Sequence, residues 1–244
     1  LFAIEPNLLA HGSLVTTDLG VTLFVFGTLY FLWRTCEQPT PLNIAAASCC
    51  AALALVSKFS AILLAPIALV LPALAIARRA IPFRTGAAVA GAMTATAVLA
   101  IWAFYGFRYL PSDAGAWAFD FTDGRGASAP SLVSGVAAWI DRHHLLPNAY
   151  TQGFIYAQSS SQSMPSFLAG ERSTGGWWYY FPIAFLIKTP IALLLLVAGG
   201  LVISFRRVRE LNSLRLAFVF VPLVVCFGAA MASGINLGLR HVLP

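Results

Sequence analysis

Three basic side chains stand where an apolar chain gives them no ordinary reason to be. Lys58 breaks a long apolar stretch at Ser57-Lys58-Phe59-Ser60, Lys188 follows Phe185-Leu186-Ile187, and Arg240 sits in Gly238-Leu239-Arg240-His241. Each lies at or near the end of a run able to cross a membrane. Phosphate is the natural partner for cations held there, Lys as a point charge and Arg through bidentate contacts. Snorkelling to lipid headgroups accounts for any one of them and less readily for all three. Asp18 is the fourth residue of this kind, at the mouth of an uncharged run from Leu19 to Trp33 and preceded by Thr16-Thr17. An unpaired carboxylate at such a position costs up to a few kcal/mol, so it faces protein or a water-filled cavity. It also fits a helix N-cap, with Thr16 and Thr17 as alternatives, and a carboxylate held by a helix N-terminus stays ionised and oriented. Weaker candidates are Glu5, an acidic residue before Pro6, and the lone histidines His11 and His241.

Other chemistry finds less footing. The chain has no Gly-rich phosphate loop, HExxH, GxSxG or internal repeat. Asp141-Arg142-His143-His144 is a weak metal pattern, and we assign no metal residues; the sequence leaves a divalent cofactor open. Cys36, Cys49, Cys50 and Cys226 show no CxxC spacing and read as free thiols. The aromatic block Trp177-Trp178-Tyr179-Tyr180-Phe181-Pro182 reads as an interfacial belt, or as an apolar wall or sugar platform.

The elements that must position these residues are membrane helices. Of the 244 residues 59% are hydrophobic and only 10% charged, which excludes an ordinary soluble domain. The hydrophobic pattern predicts crossings at about 14–33, 42–56, 60–77, 86–105, 188–205 and 216–232. Residues 34–41 read as a polar turn, and the first arm of the second pair is short for a bilayer. Eight of the fifteen Lys and Arg residues (Arg34, Arg78, Arg79, Arg84, Arg206, Arg207, Arg209, Arg215) fall in loops that this count puts on one face, the positive-inside pattern. The +6 net charge is therefore explained by orientation and calls for no nucleic acid. The opposite, extracytoplasmic face receives Glu5, His11, Asp18, Lys58, Lys188, Arg240 and His241. It also receives a polar region, 106–176, in which 132–140 and 147–156 predict short surface helices and Ser159 to Ser163 a loop.

With these pieces in order, the chain resembles the GT-C glycosyltransferases that use a polyprenyl-phosphate sugar, near the protein O-mannosyltransferases and lipid A aminoarabinose transferases. The resemblance is carried by Pro6-Asn7-Leu8-Leu9-Ala10-His11 with Thr16-Thr17-Asp18, by Ser57-Lys58-Phe59-Ser60, by Ser166 to Glu171 with Gly176 to Pro182 and Lys188-Thr189-Pro190, and by Gly238-Leu239-Arg240-His241 with Leu243-Pro244. It implies a donor loaded from the outer leaflet, Lys58, Lys188 and Arg240 near its phosphate, and Asp18 at the family's second acidic position.

The expectation is an all-α, polytopic transmembrane bundle with one long extracytoplasmic loop: helices in 1–105, the loop in 106–176, and helices again in 177–244. The lack of an initiator Met and the end at Pro244 lead us to read a fragment whose main catalytic acidic pair lies upstream. The expected activity is sugar transfer to a protein or lipid acceptor at the outer face of a bacterial plasma membrane. The alternative is a transporter or flippase for a lipid-linked or anionic substrate, and a second rival is a structural or assembly membrane protein.

Overall fold

The computed structural model describes residues 17–111, 132–161, 166–173, 175–206 and 213–232. Nine α-helices lie among them: α1 (Asp18–Glu37), α2 (Pro41–Ser57), α3 (Leu64–Ala77), α4 (Phe83–Phe104), α5 (Leu132–Arg142), α6 (Asn148–Ser161), α7 (Tyr180–Lys188), α8 (Ile191–Arg206) and α9 (Ser213–Ala232). A 3₁₀ turn, Phe59–Leu63, leads into α3, and two short strands, β1 (Ser166–Leu168) and β2 (Glu171–Ser173), form a hairpin. Four stretches are long and apolar enough to cross a membrane: α1, Phe59–Ala77, α4 and Leu214–Ala232. The protein is an all-α helical membrane protein apart from that hairpin.

The bundle is built on the antiparallel pair α1 and α2. Their turn is closed by Thr40, whose Oγ1 accepts from the N–H of Asn43 at 3.3 Å, with Pro41 in the first helical turn, where a missing N–H costs nothing. Small residues let the helices approach closely: a Cβ on Gly27 would stand 2.9 Å from Cys50 Sγ. Thr28, Thr35 and Ser48 are buried yet satisfied, each hydroxyl donating to the carbonyl four residues back, on Phe24, Phe31 and Ile44, at 2.7 to 2.8 Å. Val21, Val25, Leu32, Ala47, Ala51 and Ala54 join Leu64 of α3 and Val89 and Met93 of α4 in the main core.

The helix ends sort by charge. Arg34, Arg78, Arg79 and Arg84 lie at the end where α1 and α3 finish and α4 begins. Arg215, in the first turn of α9, reaches Glu37 at 3.3 Å there, and Leu214 packs on Ala75 and Ile81. The opposite end holds Asp18 and Lys58.

At that end α4 stops in a left-handed pair, Gly106 (φ 65°) and Phe107 (φ 56°), and the α5–α6 hairpin folds over the span ends. Trp102 Nε1 donates to Leu145 O (3.1 Å), and Phe59 stacks edge-on against Tyr150 and Phe154 (centroids 5.4 and 5.9 Å). Gly153 makes room for that ring, since a Cβ there would lie 3.1 Å from Phe59 Cζ.

The structure corrects several expected elements. The expected crossing 188–205 starts three residues later, as α8, and is preceded by a separate helix, α7, that meets it at 118°. Pro190 supplies the reason, because it drives Thr189 out of the helical region (φ −87°, ψ 132°) and offers no N–H to continue α7. With that pair counted once there are up to five crossings among the described residues, and α2, at 17 residues, is the short arm. Helix α1 continues through Arg34 to Glu37, so the polar turn is shorter than 34–41. Ser159 to Ser161 are the last turn of α6, not loop. Within 106–176 the short helices expected at 132–140 and 147–156 are present as α5 and α6, and the unexpected element is the β1–β2 hairpin, which turns at Ala169 and Gly170, both with positive φ.

Candidate functional site

The sequence separates Asp18 and Lys58 by 40 residues, and the fold joins them: Lys58 Nζ lies 2.5 Å from Asp18 Oδ1. The α1–α2 hairpin explains why. Helix α1 has 20 residues and α2 has 17, so α2 ends about 4.5 Å short of the start of α1 at 1.5 Å per residue. The long lysine side chain makes up the difference. Lys58 is the extended residue between α2 and the 3₁₀ turn (φ −159°, ψ 138°), its N–H on Ala54 O and its carbonyl accepting from Ala61 N–H. Both charges suit their helix ends, the carboxylate in the first turn of α1 and the ammonium at the last carbonyls of α2. Side-chain exposure is 14% for Asp18 and 22% for Lys58, so the pair is largely withdrawn from solvent.

Asp18 is not the N-cap. Thr17 holds that position without a side-chain bond, and Asp18 is the first helical residue, its carbonyl accepting from Thr22 Oγ1 at 2.8 Å. The carboxylate is thereby available to Lys58.

Below the pair, Val21, Val25, Ser60, Ala61, Leu64, Ile67 and Cys226 surround a cavity of about 30 Å³, the room of a single water. Cys226 belongs to α9, and its neighbour Phe227 packs on Phe185 of α7 (centroids 6.4 Å) while Ala230 packs with Tyr180, Phe181 and Ala184. This chain of contacts holds α7 against the Asp18 end. Lys188, in its last turn and exposed, follows Phe185 by one helical step. The aromatic block divides: Trp177, Tyr180 and Phe181 turn inward, whereas Trp178 is exposed. Gly176 takes a positive φ (67°) that sets up this entry. Glu5, His11, Arg240 and His241 lie outside the described residues.

An apolar cleft of about 260 Å³ opens between α2, α3 and α4, lined by Ala51, Leu55, Ile62, Ala65, Met93 and Thr94 among others. Leu55, one turn before Lys58, is among its lining residues; Asp18 and Lys58 are not.

Sequence reasoning missed a second polar centre. Asp141 is buried and accepts from Thr151 Oγ1 (2.7 Å), Gln152 Nε2 (2.7 Å), Asn148 Nδ2 (3.2 Å) and Tyr109 Oη (3.3 Å). The signal was Asn148, Thr151 and Gln152 at i, i+3 and i+4 on one face of α6. The rings of His143 and His144 stack on Trp139 (4.4 Å) and Tyr109 (3.9 Å), and among the described residues they form no metal-holding group with Asp141. Burial raises the pKa of Tyr109, and the Asp141 carboxylate raises it further. Tyr150, half-buried between Phe59 and Tyr105, is pushed up to about 12, chiefly by its withdrawal from water.

No family profile, curated protein or solved structure matches this chain. The site must be interpreted from its own chemistry.

Proposed function

We propose that this chain is part of a GT-C-type membrane glycosyltransferase that moves a sugar from a polyprenyl-phosphate donor to a protein or lipid acceptor at the extracytoplasmic face. The observation that carries this reading is the Asp18–Lys58 pair, largely withdrawn from solvent at one end of an apolar bundle that also holds a cleft between α2, α3 and α4. A lipid phosphate needs that combination: a cation for the headgroup and an apolar channel for the chain. We assign Lys188 on α7 and Arg240 as further cations of the clamp, and His241, Glu5 and His11 as candidates for sugar or acceptor. Fixed positive charge in a water-poor pocket stabilises phosphate as it leaves, an electrostatic contribution that grows as water is excluded. The Asp18 end is then extracytoplasmic, since the arginines gather at the other. The test is transfer of labelled sugar from a polyprenyl-phosphate donor by the protein in liposomes, and no transfer to any protein or lipid acceptor offered would reject it.

A transporter or flippase is the second reading, and the α7–α8 break favours it. Broken helices at Pro190-like interruptions are how transporters line a substrate path. Against it, Asp18 and Lys58 pair at one end of the bundle instead of at the midplane. Substrate uptake into proteoliposomes without sugar transfer would favour this second reading.

A further inference from the structure

The segment that leaves α4 builds another cavity at the end of the bundle where Asp18 and Lys58 lie. Phe104 and Tyr105 from the end of α4, Arg108 and Tyr109 from the residues that follow, and Ala149 of α6 line a volume of about 410 Å³. The left-handed Gly106 and Phe107 fold the segment back beside the end of α4. Phe107 is 63% exposed, so little packing of its ring offsets the cost of a bulky left-handed residue, and strain of this kind gathers at functional sites. The lining is fixed by the fold. The Tyr109 carbonyl accepts from Asn148 N–H (3.0 Å), its hydroxyl donates to the Asp141 carbonyl (3.0 Å), and its ring stacks on His144, while Tyr105 packs edge-on against Tyr150 (centroids 6.1 Å).

Charge, depth and size define the ligand. Among the described residues the lining holds the Arg108 guanidinium and no carboxylate, and the Asp141 carboxylate is shared by Thr151, Gln152 and Asn148. A guanidinium carries five N–H donors, so Arg108 can take two oxygens of a phosphate alongside its other contacts. The cavity begins where the apolar stretch Phe83–Phe104 ends, which is headgroup depth. Phe104 is 67% exposed there and also lines the cavity, so one ring joins the polar site to the hydrocarbon. The volume exceeds what a bare phosphate fills and lies in the range of small-molecule sites. We infer that this cavity binds the headgroup of an anionic phospholipid from the leaflet at this end, with the phosphate on Arg108, the glycerol against Tyr105 and Tyr109, and the chains leaving past Phe104. The site shares no lining residue with the Asp18–Lys58 pair and stands without the donor reading.

Titration of the full chain in detergent with phosphatidylglycerol, followed by native mass spectrometry, tests the assignment. Arg108→Gln weakens the tightest phosphatidylglycerol site about fivefold, as expected for one partly exposed charge contact. Ala149→Trp fills the cavity while leaving Arg108 in place, and it weakens that site at least as much. Arg142→Gln removes an exposed cation that does not line the cavity, and it leaves binding unchanged. Wild-type affinity in Arg108→Gln overturns the site. An equal loss in Arg142→Gln also overturns it, by making the attraction a property of surface charge. Wild-type affinity in a folded Ala149→Trp places the lipid elsewhere and rejects the cavity. Should Ala149→Trp disturb the α5–α6 hairpin, Arg108→Gln against Arg142→Gln decides, since both side chains are exposed. Water-soluble glycerol phosphate is the last arm. Failure to displace phosphatidylglycerol supports a lipid site, and displacement at equal concentration assigns the cavity to a soluble phosphate and overturns the lipid reading.

Discussion

Asp141 shows what a single buried residue does in this fold. Its carboxylate collects donors from Tyr109, Asn148, Thr151 and Gln152, which pins α5 to α6 and both to the exit of α4. Asp141→Ala removes the acceptor these donors share, and at about 1–3 kcal/mol for a lost buried partner we expect a loss of about 3 kcal/mol in denaturant unfolding. Tyr150 makes a prediction in pH. Its pKa is raised from 10.0 to about 12, so between these values the unfolded chain has lost a proton that the folded chain keeps. The stabilising contribution is complete below pH 10 and disappears as pH rises toward 12. Thermal melts across that range show a steep alkaline loss in the wild type and a shallower one in Tyr150→Phe. The sequence marked Asp18 and Lys58 because charge is rare in apolar runs. It gave no sign that they form one pair, since their meeting depends on the register of two helices. Asp141 went unmarked for a related reason: beside His143 and His144 it made only a weak metal pattern, and its partners stand seven to eleven residues on and, in Tyr109, 32 residues before.

At the level of elements, the α5–α6 hairpin is the unit that closes the Asp18 end. It depends on a glycine: Gly153 lies against Phe59, and a larger side chain would push the ring away. Gly153→Leu is expected to loosen the hairpin while the spans remain folded, seen as faster proteolytic cleavage between residues 132 and 161 with unchanged helical circular dichroism. Helix α5 exposes Leu132, Val136 and Trp139, spaced four and three residues apart along one stripe, at the level of the span ends. A membrane-interface position follows. A nitroxide at Val136 should be more accessible to oxygen than to a water-soluble nickel chelate, and the reverse order would place the stripe in water. The long apolar helices were readable from composition because a bilayer demands them. The α7–α8 bend was not, although Pro190 stood in plain view, because a proline after a lysine equally allows a helix to begin there.

For the whole molecule, the separation of charge is the organising fact. Arg34, Arg78, Arg79, Arg84 and Arg215 gather at one end, with the Arg215–Glu37 contact among them, while Asp18 and Lys58 pair at the other, where Arg108 and Arg142 also lie. That separation was visible in the sequence, because loop charge follows directly from counting crossings. The depth of the cleft was not, since it needs three helices to be packed. The account stands or falls on whether Lys58 and Lys188 serve a lipid phosphate. Steady-state sugar transfer from a polyprenyl-phosphate donor, measured for Lys58→Ala and Lys188→Ala, tests this most directly. We predict that each variant loses about 100-fold or more in turnover, as when a fixed group stabilising the departing charge is removed. Turnover and donor affinity equal to the wild type in both variants would contradict it.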